Sequence, residues 1–521
     1  MLMLLYLFLC PLGPVRDNGG FLCAIPPAHV AEAHTHHQTV PMTDADAVKN
    51  AVYDVVVIGA GPVGENVADR TRAAGLTTAV VESELVGGEC SYWACIPSKA
   101  LLRPVVARAD ARRVPGLGAA VQGPLDAAAV LAHRDWYVSD WHDDGQVAWL
   151  EGVGADLYRG QGRLAGTKQV SVTTPDGTEH RLTARHAVAV CTGSGAVVPD
   201  LPGIADARPW TSREATSAKE VPGRLVIVGG GVVGVEMATV YQALGAQVTM
   251  LIRGKGLLPK MEPFAGELVA EALTEAGADI RTGVSATSVD RTTPDGPVTV
   301  ELDDGERIEA DEILFATGRA PRTDDLGLET VALKPGSWLP VDDSCRVEGS
   351  NWLYAVGDVN HRALLTHQGK YQARIAGAAI AARAQGTPEA TGRWGAHTAT
   401  ADHAAVPQVV FTDPEAASVG LTLAAAERAG HRVRAVDYDL AAVSGAGLYA
   451  SGYRGRARMV VDLDREILLG VTFVGPGIGE LLHSATVAVA GEVPIDRLWH
   501  AVPAFPTISE VWLRLLETYR G

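Results

Sequence analysis

Cysteine is scarce in this chain. Six cysteines in 521 residues cannot form the dense disulfide framework of a small secreted fold, and Cys10, Cys23, Cys191 and Cys345 stand alone. Positive charge is also short. With 44 basic against 61 acidic side chains the formal charge is -17, which repels phosphate backbones and argues against nucleic acid as a partner. Long hydrophobic runs are missing too: the opening MLMLLYLFLCPLGP is apolar for about ten residues, against the roughly 20 needed to cross a bilayer. As a signal segment it lacks a charged start and a clean small-residue cleavage site. Aromatic residues make up 6% of a chain that is 47% hydrophobic and contains 57 glycines. Together with a mean hydropathy of +0.10, that composition describes a soluble α/β protein and excludes fibrous and disordered classes. The length calls for two to four domains.

Tyr53-Asp54-Val55-Val56-Val57-Ile58 reads as a short apolar strand of a parallel sheet, running straight into Gly59-Ala60-Gly61-Pro62-Val63-Gly64. A helix to Ala74, a stop at Gly75 and a strand Thr77–Val81 ending in Glu82 complete a βαβ unit. The pattern recurs in a strand Leu225–Val228, the turn Gly229-Gly230-Gly231-Val232-Val233-Gly234, a helix Val235–Leu244 and a strand Val248–Ile252 ending in Arg253. Between the two lie an Ala- and Arg-rich helical region (100–149) and a β-like stretch (156–190). From about Thr400 antiparallel-looking strands and helices take over. The fold class expected is α/β, with two Rossmann-like nucleotide-binding domains plus a C-terminal α+β dimerisation domain. The boundaries expected are an N-terminal extension at 1–48, a first nucleotide domain at 49–205 and 326–399, a second at 206–325 and a C-terminal domain at 400–521.

A glycine fingerprint alone is a weak signal, but the first copy follows a strand, opens a helix, and has an acidic residue 18 positions after Gly64. Gly59, Gly61 and Gly64 would permit a tight turn and close approach to a pyrophosphate, the helix N-terminus would face its charge, and Glu82 would accept from ribose hydroxyls. The second copy, with Gly229, Gly231 and Gly234, has Arg253 at the ribose-reading position, with Lys255 and Lys260 nearby. Cations there suit the 2′-phosphate of NADPH, the expected donor; if they are only solvated, NADH is used.

Cys90 and Cys95 lie in Gly-Gly-Glu-Cys-Ser-Tyr-Trp-Ala-Cys-Ile-Pro-Ser-Lys, from Gly87 to Lys99. Five residues of ideal helix rise roughly 7.5 Å, beyond the usual Cα separation limit of about 7 Å for a disulfide, so a working pair requires a distorted turn. Pro97 suits a first helical turn, placing Cys95 at the positive end, where a thiolate is favoured. The alternatives are half a zinc site or two inert thiols. No second cysteine pair or His cluster completes a zinc site, and no metal site is expected.

This segment resembles the signature of the class I pyridine nucleotide-disulfide oxidoreductases, the family of dihydrolipoamide dehydrogenase, glutathione reductase and mercuric reductase. The resemblance runs from about Tyr53 to Glu510, including Ala316-Thr317-Gly318-Arg319 and Ala355-Val356-Gly357-Asp358. It implies a homodimer with bound FAD that accepts hydride from the nicotinamide and passes electrons to Cys95, leaving Cys90 to exchange with a small-molecule acceptor. It further implies that Asp358 binds the FAD ribitol and that the helix beginning near Thr366-His367 points at the flavin. Lys99 would sit near flavin N5, paired with Glu236, with Gly193 and Gly318 among the cofactor-binding glycines.

One departure stands out. In His500-Ala501-Val502-Pro503-Ala504-Phe505-Pro506-Thr507-Ile508-Ser509-Glu510, Phe505 occupies the place of the family's catalytic His while Glu510 remains. Phenylalanine carries no proton, which puts efficient dithiol exchange in doubt. His500 reads as structural. Mercuric reductases also lack that His, but their C-terminal cysteine pair is missing from the ending Glu517-Thr518-Tyr519-Arg520-Gly521. A quinone reductase working through flavin alone and a non-catalytic redox sensor are the other readings. The expectation is a cytoplasmic enzyme that engages neither membrane nor nucleic acid. Translation is expected to start at Met42, so the native protein should have the intact mass of a chain without residues 1–41; a mass that includes them overturns this start.

Overall fold

The computed structural model describes residues 49–294 and 296–521. The expectation of an N-terminal extension at 1–48 falls outside them. The first fingerprint strand is longer than its apolar core, Lys49–Ile58. Its first half pairs with His180–Ala184 and its second with Ala187–Val190, across a register shift between Tyr53 and Val55. Polar residues at Lys49, Asn50 and Asp54 keep this outer half outside an apolar-run reading.

The strands Asp156–Arg159, Thr78–Glu82, Lys49–Ile58, Glu179–Val190 and Leu353–Ala355 lie side by side and parallel. The twelve-residue strand Glu179–Val190 also turns its first half to an antiparallel meander with Gln169–Thr173 and Gln161–Leu164. One strand therefore belongs to two layers, which is why the β-like stretch and the later Leu353 strand end in one sheet. Val55, Val57, Val80, Ala187 and Ala189 bury one face and Val56, Ile58, Val81, Val188 and Val190 the other, the two-sided burial that a parallel sheet demands.

The second unit repeats the plan. Asp279–Thr282, Gln247–Ile252, Arg224–Val228 and Glu312–Phe315 form a parallel sheet, flanked by the helix Val232–Ala243 and an antiparallel layer of Ala286–Asp290, Val298–Leu302 and Arg307–Ala310. The helix expected from Val235 starts directly after Gly231, whose extended backbone caps it. A two-stranded link, Ser194–Ala196 against Arg319–Pro321, ties the two units together. The C-terminal region is a five-stranded antiparallel sheet in the order Pro407–Val410, Glu415–Gly420, Ile467–Gly475, Arg456–Asp462, Val433–Asp439, covered by Leu482–Ala490 and Val511–Arg520. Among the described residues no helix is long and apolar enough to cross a membrane.

The cysteine segment breaks as its spacing requires. A short helix, Gly88–Tyr92, carries Cys90; Trp93 and Ala94 leave helical geometry at φ -137 and -134; a second helix, Cys95–Arg113, begins at Cys95 itself. That helix runs on through Pro104, where burial of Leu101, Leu102 and Val105 outweighs the lost backbone hydrogen bond.

Candidate active site

The two glycine turns solve the same steric problem with the same parts. A Cβ on Gly59 would stand 2.5 Å from the Cys191 carbonyl oxygen, and one on Gly229 would stand 2.4 Å from that of Ala316. On Gly64 it would lie 1.9 Å from the Gly59 oxygen, and on Gly234 2.1 Å from that of Gly229. The middle glycines face open space: nothing lies nearer than 4.0 Å at Gly61, and nothing within 4 Å at Gly231. Outer glycines thus pack helix on strand, while the middle one leaves the approach for a pyrophosphate. Glu82 is fixed at the end of its strand, accepting hydrogen bonds from Ala60 N and Glu84 N, both at 2.7 Å. Burial, opposed by these two bonds, raises its carboxyl above the usual range.

A cleft of about 1550 Å³ runs across the molecule. Lining it are Gly59, Gly61, Glu82, Cys90, Cys95, Lys99, Gly193, Gly231, Glu236, Gly318, Asp358 and His367. Asp358 accepts from the Ser194 hydroxyl at 2.6 Å, and Arg319 holds that hydroxyl from its other side at 2.6 Å. His367 donates its Nε2–H to the Pro407 carbonyl at 2.8 Å, which anchors the first turn of the helix Thr366–Gln385. The remaining expected residues lie off the cleft wall. Gly64 and Gly234 sit inside the turns, as does Gly229. Arg253 and Lys255 stand exposed just beyond the strand Gln247–Ile252. Glu510 is buried, accepting from Thr507 N at 3.1 Å in a helix-capping box and from Gly445 N of a separate helix at 3.2 Å. Phe505 is 76% and Val502 85% exposed.

Three parts of the chain meet at one carboxylate. Glu236, on the second fingerprint helix, accepts from Lys99 Nζ at 2.8 Å and from Phe411 N at 3.0 Å. Its side chain is 4% exposed, and the Lys99 ammonium also lies 4.9 Å from the centre of the Phe411 ring. The sequence named the Lys99–Glu236 pair through resemblance; no local signal announced Phe411.

The two thiols are driven apart. Cys95 is pulled down to about 6, first by a hydrogen bond from Cys90, and further by the Thr366 hydroxyl and the Lys99 charge, against its own burial. The Thr366 oxygen stands 3.3 Å from Cys95 Sγ. Cys90, as the donor in that pair and itself buried, is pushed well above the ordinary thiol range. The surroundings therefore favour the thiolate at Cys95 and the thiol at Cys90. Cys191 and Cys345 are buried with raised thiol pKa values and take no part. Among the described residues no cluster of His, Cys, Asp and Glu could hold a metal ion.

Residues 53–386 match the family model "Pyridine nucleotide-disulphide oxidoreductase", and residues 406–515 match that family's dimerisation domain. The chain belongs to this family. Among its relatives, a dihydrolipoyl dehydrogenase of Thermus scotoductus is 33% identical over 89% of this chain and 97% of its own length. A mercuric reductase of Staphylococcus aureus is 31% identical over 89% of this chain and 82% of its own. LpdA from Mycobacterium tuberculosis has the same fold at TM-score 0.76 and 25% identity, over 90% of this chain and 99% of that one. The HOCl-induced flavoprotein disulfide reductase RclA of Escherichia coli, solved as a Cu(II) complex, matches in fold at TM-score 0.76 and 24% identity, over 90% of this chain and 99% of that one.

As a pyridine nucleotide-disulphide oxidoreductase, the protein is an FAD-dependent enzyme that uses NAD(P)H in disulfide chemistry. Its residues fit that cofactor: open cradles at the middle glycines, a buried carboxylate at Glu82 and a half-buried one at Asp358 in the same cleft. Lys99→Met, which removes a cation beside Cys95, should raise the midpoint of its thiolate by about one pH unit, or roughly 1.4 kcal/mol. The check is a pH titration of the long-wavelength absorbance of the pre-reduced holoenzyme, which reports a thiolate beside the flavin; an unmoved midpoint contradicts the role given to Lys99.

Proposed function

We propose that the protein is a cytoplasmic homodimer that carries electrons from NADPH, by way of bound FAD, to Cys90–Cys95 and on to a small acceptor containing a disulfide. The observation that carries this reading is one cleft that brings the Cys90 and Cys95 thiols together with the Lys99–Glu236 pair and both open glycine cradles, Gly61 and Gly231; within it the surroundings favour the thiolate at Cys95 and the thiol at Cys90. When bound, FAD supplies a two-electron carrier between nicotinamide and sulfur. The Cys90–Cys95 disulfide accepts the electron pair and its S–S bond breaks. Cys95 is then held as thiolate by the Thr366 hydroxyl and the Lys99 charge. Cys90 exchanges with the acceptor. Glu236 keeps Lys99 in place, and Gly59, Gly61, Gly64, Glu82, Gly193, Gly318, Asp358 and His367 are the residues proposed to hold FAD. Gly229, Gly231 and Gly234 would receive the nicotinamide dinucleotide.

Homodimer formation is supported by the matched dimerisation domain and by the exposure of Val502 and Phe505 within it. In the dimer, Phe505 and Glu510 would face the partner's thiols, with Glu510 shaping the turn that presents Phe505. The case for NADPH rests on Arg253 and Lys255, exposed at the end of the strand where a ribose 2′-phosphate would lie.

Cys90→Ser should abolish NADPH-dependent reduction of bis(2-hydroxyethyl) disulfide while flavin reduction by NADPH persists. Unchanged disulfide turnover would show that the thiols are idle and the flavin alone serves acceptors. The double change Arg253→Ala with Lys255→Ala should raise KM for NADPH at least about tenfold, the equivalent of roughly 1.4 kcal/mol, and leave KM for NADH within about twofold. A wild-type preference for NADH in kcat/KM would overturn the donor assignment.

A further inference from the structure

The cysteine turn has little support of its own. The helix that carries Cys90, Gly88–Tyr92, has five residues, too few to persist on propensity, and neither it nor the helix beginning at Cys95 has a side-chain cap. The backbone between them leaves helical geometry at Trp93 and Ala94, and that departure sets where the two thiols stand. Its hold comes from the helix Ser212–Ser217, 124 positions further along the chain. Glu89 and Trp93 are four residues apart, with Trp93 N donating to the Glu89 carbonyl at 2.8 Å, so their side chains share one face of the short helix. Arg213 takes hold of both. Its Nε and Nη2 donate to Glu89 at 2.9 and 2.6 Å, and its guanidinium carbon lies 4.2 Å from the centre of the Trp93 ring, where cation and ring attract. Three residues on, the Thr216 hydroxyl stands 2.9 Å from the Trp93 carbonyl oxygen. The Arg213 fork is fixed in turn. Its Nη1 and Nη2 donate to Glu84 at 3.1 and 2.8 Å, and Arg322 Nη2 donates to Glu89 at 2.9 Å, so two guanidinium groups and two carboxylates form one network. Glu84, Glu89 and Arg322 line the cleft with Cys90 and Cys95. The Arg213 side chain is 26% exposed, which sets the network apart from freely solvated surface pairs.

We infer that Arg213 is a positioning residue for the thiol pair: by gripping Glu89, directly before Cys90, and Trp93, two residues before Cys95, it holds the broken turn in the shape from which Cys95 reaches Cys90. It acts through distance and not through charge. The groups that chiefly displace the two thiols are each other, Thr366, Lys99, Glu236 and Lys370, together with burial. The step served is ring closure. Cys90 releases its proton as its sulfur bonds to one sulfur of the acceptor disulfide, and the other acceptor sulfur leaves as thiolate and is protonated. The Cys95 thiolate then attacks Cys90; the Cys90–Cys95 bond forms, the bond from Cys90 to the acceptor breaks, and the second acceptor sulfur leaves as thiolate and takes a proton from solvent. Two electrons pass from the dithiol to the acceptor, and two thiols leave. A pair held in register closes at a higher effective concentration than one on a loose turn. A disulfide that closes less readily is reduced more readily, so loosening the grip raises the midpoint potential of the pair.

This rests on the disulfide-exchange reading, and the test separates the two. Holoenzyme is equilibrated in dithiothreitol redox buffers near neutral pH, and the fraction of Cys90–Cys95 disulfide is read by alkylating the free thiols and weighing the protein, with FAD content and thermal midpoint measured alongside. Arg213→Met should lower the equilibrium constant for ring closure about tenfold, which raises the midpoint potential by about 30 mV. Arg213→Lys keeps the charge but loses the fork and should move the potential the same way. Trp93→Leu changes no charge and should lower the same constant about threefold, in keeping with the loss of one cation–ring contact. A merely structural role would lower the thermal midpoint and leave the potential where it is. An unmoved potential in Arg213→Met, or in Trp93→Leu where Arg213→Met loads FAD poorly, overturns the inference; so does a wild-type potential in Arg213→Lys, since charge alone would then suffice. If that happens while Cys90→Ser abolishes disulfide turnover, the inference about Arg213 fails alone. If Cys90→Ser turns over disulfide as the wild type does, the exchange reading itself fails and takes this inference with it.

Discussion

Everything at this site depends on where the Lys99 ammonium is held, and one buried carboxylate holds it. Glu236 sits on the second fingerprint helix, Lys99 on the cysteine helix and Phe411 at the start of the C-terminal region, yet all three meet within hydrogen-bonding distance. A carboxylate so little exposed needs both partners, because leaving either lone pair unsatisfied costs roughly 1–3 kcal/mol or more. The requirement works in both directions: satisfying Glu236 fixes the two units against each other and points a cation at Cys95.

That cation acts within a graded electrostatic layout. Cys95 has a helix N-terminus, a hydroxyl and an ammonium around it; Cys90, five residues earlier on a separate short helix, has its proton engaged by Cys95 and burial on top. Two chemically identical side chains are thereby pushed in opposite directions. The broken geometry at Trp93 and Ala94 makes this possible, since a continuous helix would have put the sulfurs on different faces and out of reach.

Phe505 stands exposed where the resemblance expects a proton carrier. Glu510 remains, but Thr507 N ties it into its own helix cap and Gly445 N into the helix Ser444–Tyr449. The buried Glu65 and the cleft-lining Lys370 sit on the helices Pro62–Ala73 and Thr366–Gln385, where the resemblance alone assigned no role. They drew no notice in the sequence because a Glu in the first turn of a helix is ordinary capping chemistry, and nothing local says that this one is buried with an unpartnered oxygen.

Sequence alone determined the parts whose physics is local. The two glycine turns, the apolar strands leading into them, Glu82 at the strand end and the necessity of a distorted cysteine turn all follow from backbone sterics and spacing over a few residues. Element ends were less legible: the polar outer half of the Lys49 strand and the passage of the cysteine helix through Pro104 were decided by pairing and burial that no short window contains. Tertiary structure alone decided which oxygen faces Cys95 and that Phe411 N completes the shell of Glu236. These are contacts between residues up to 271 positions apart in the chain. Distance, burial and charge fix them, and those exist only once the chain has folded.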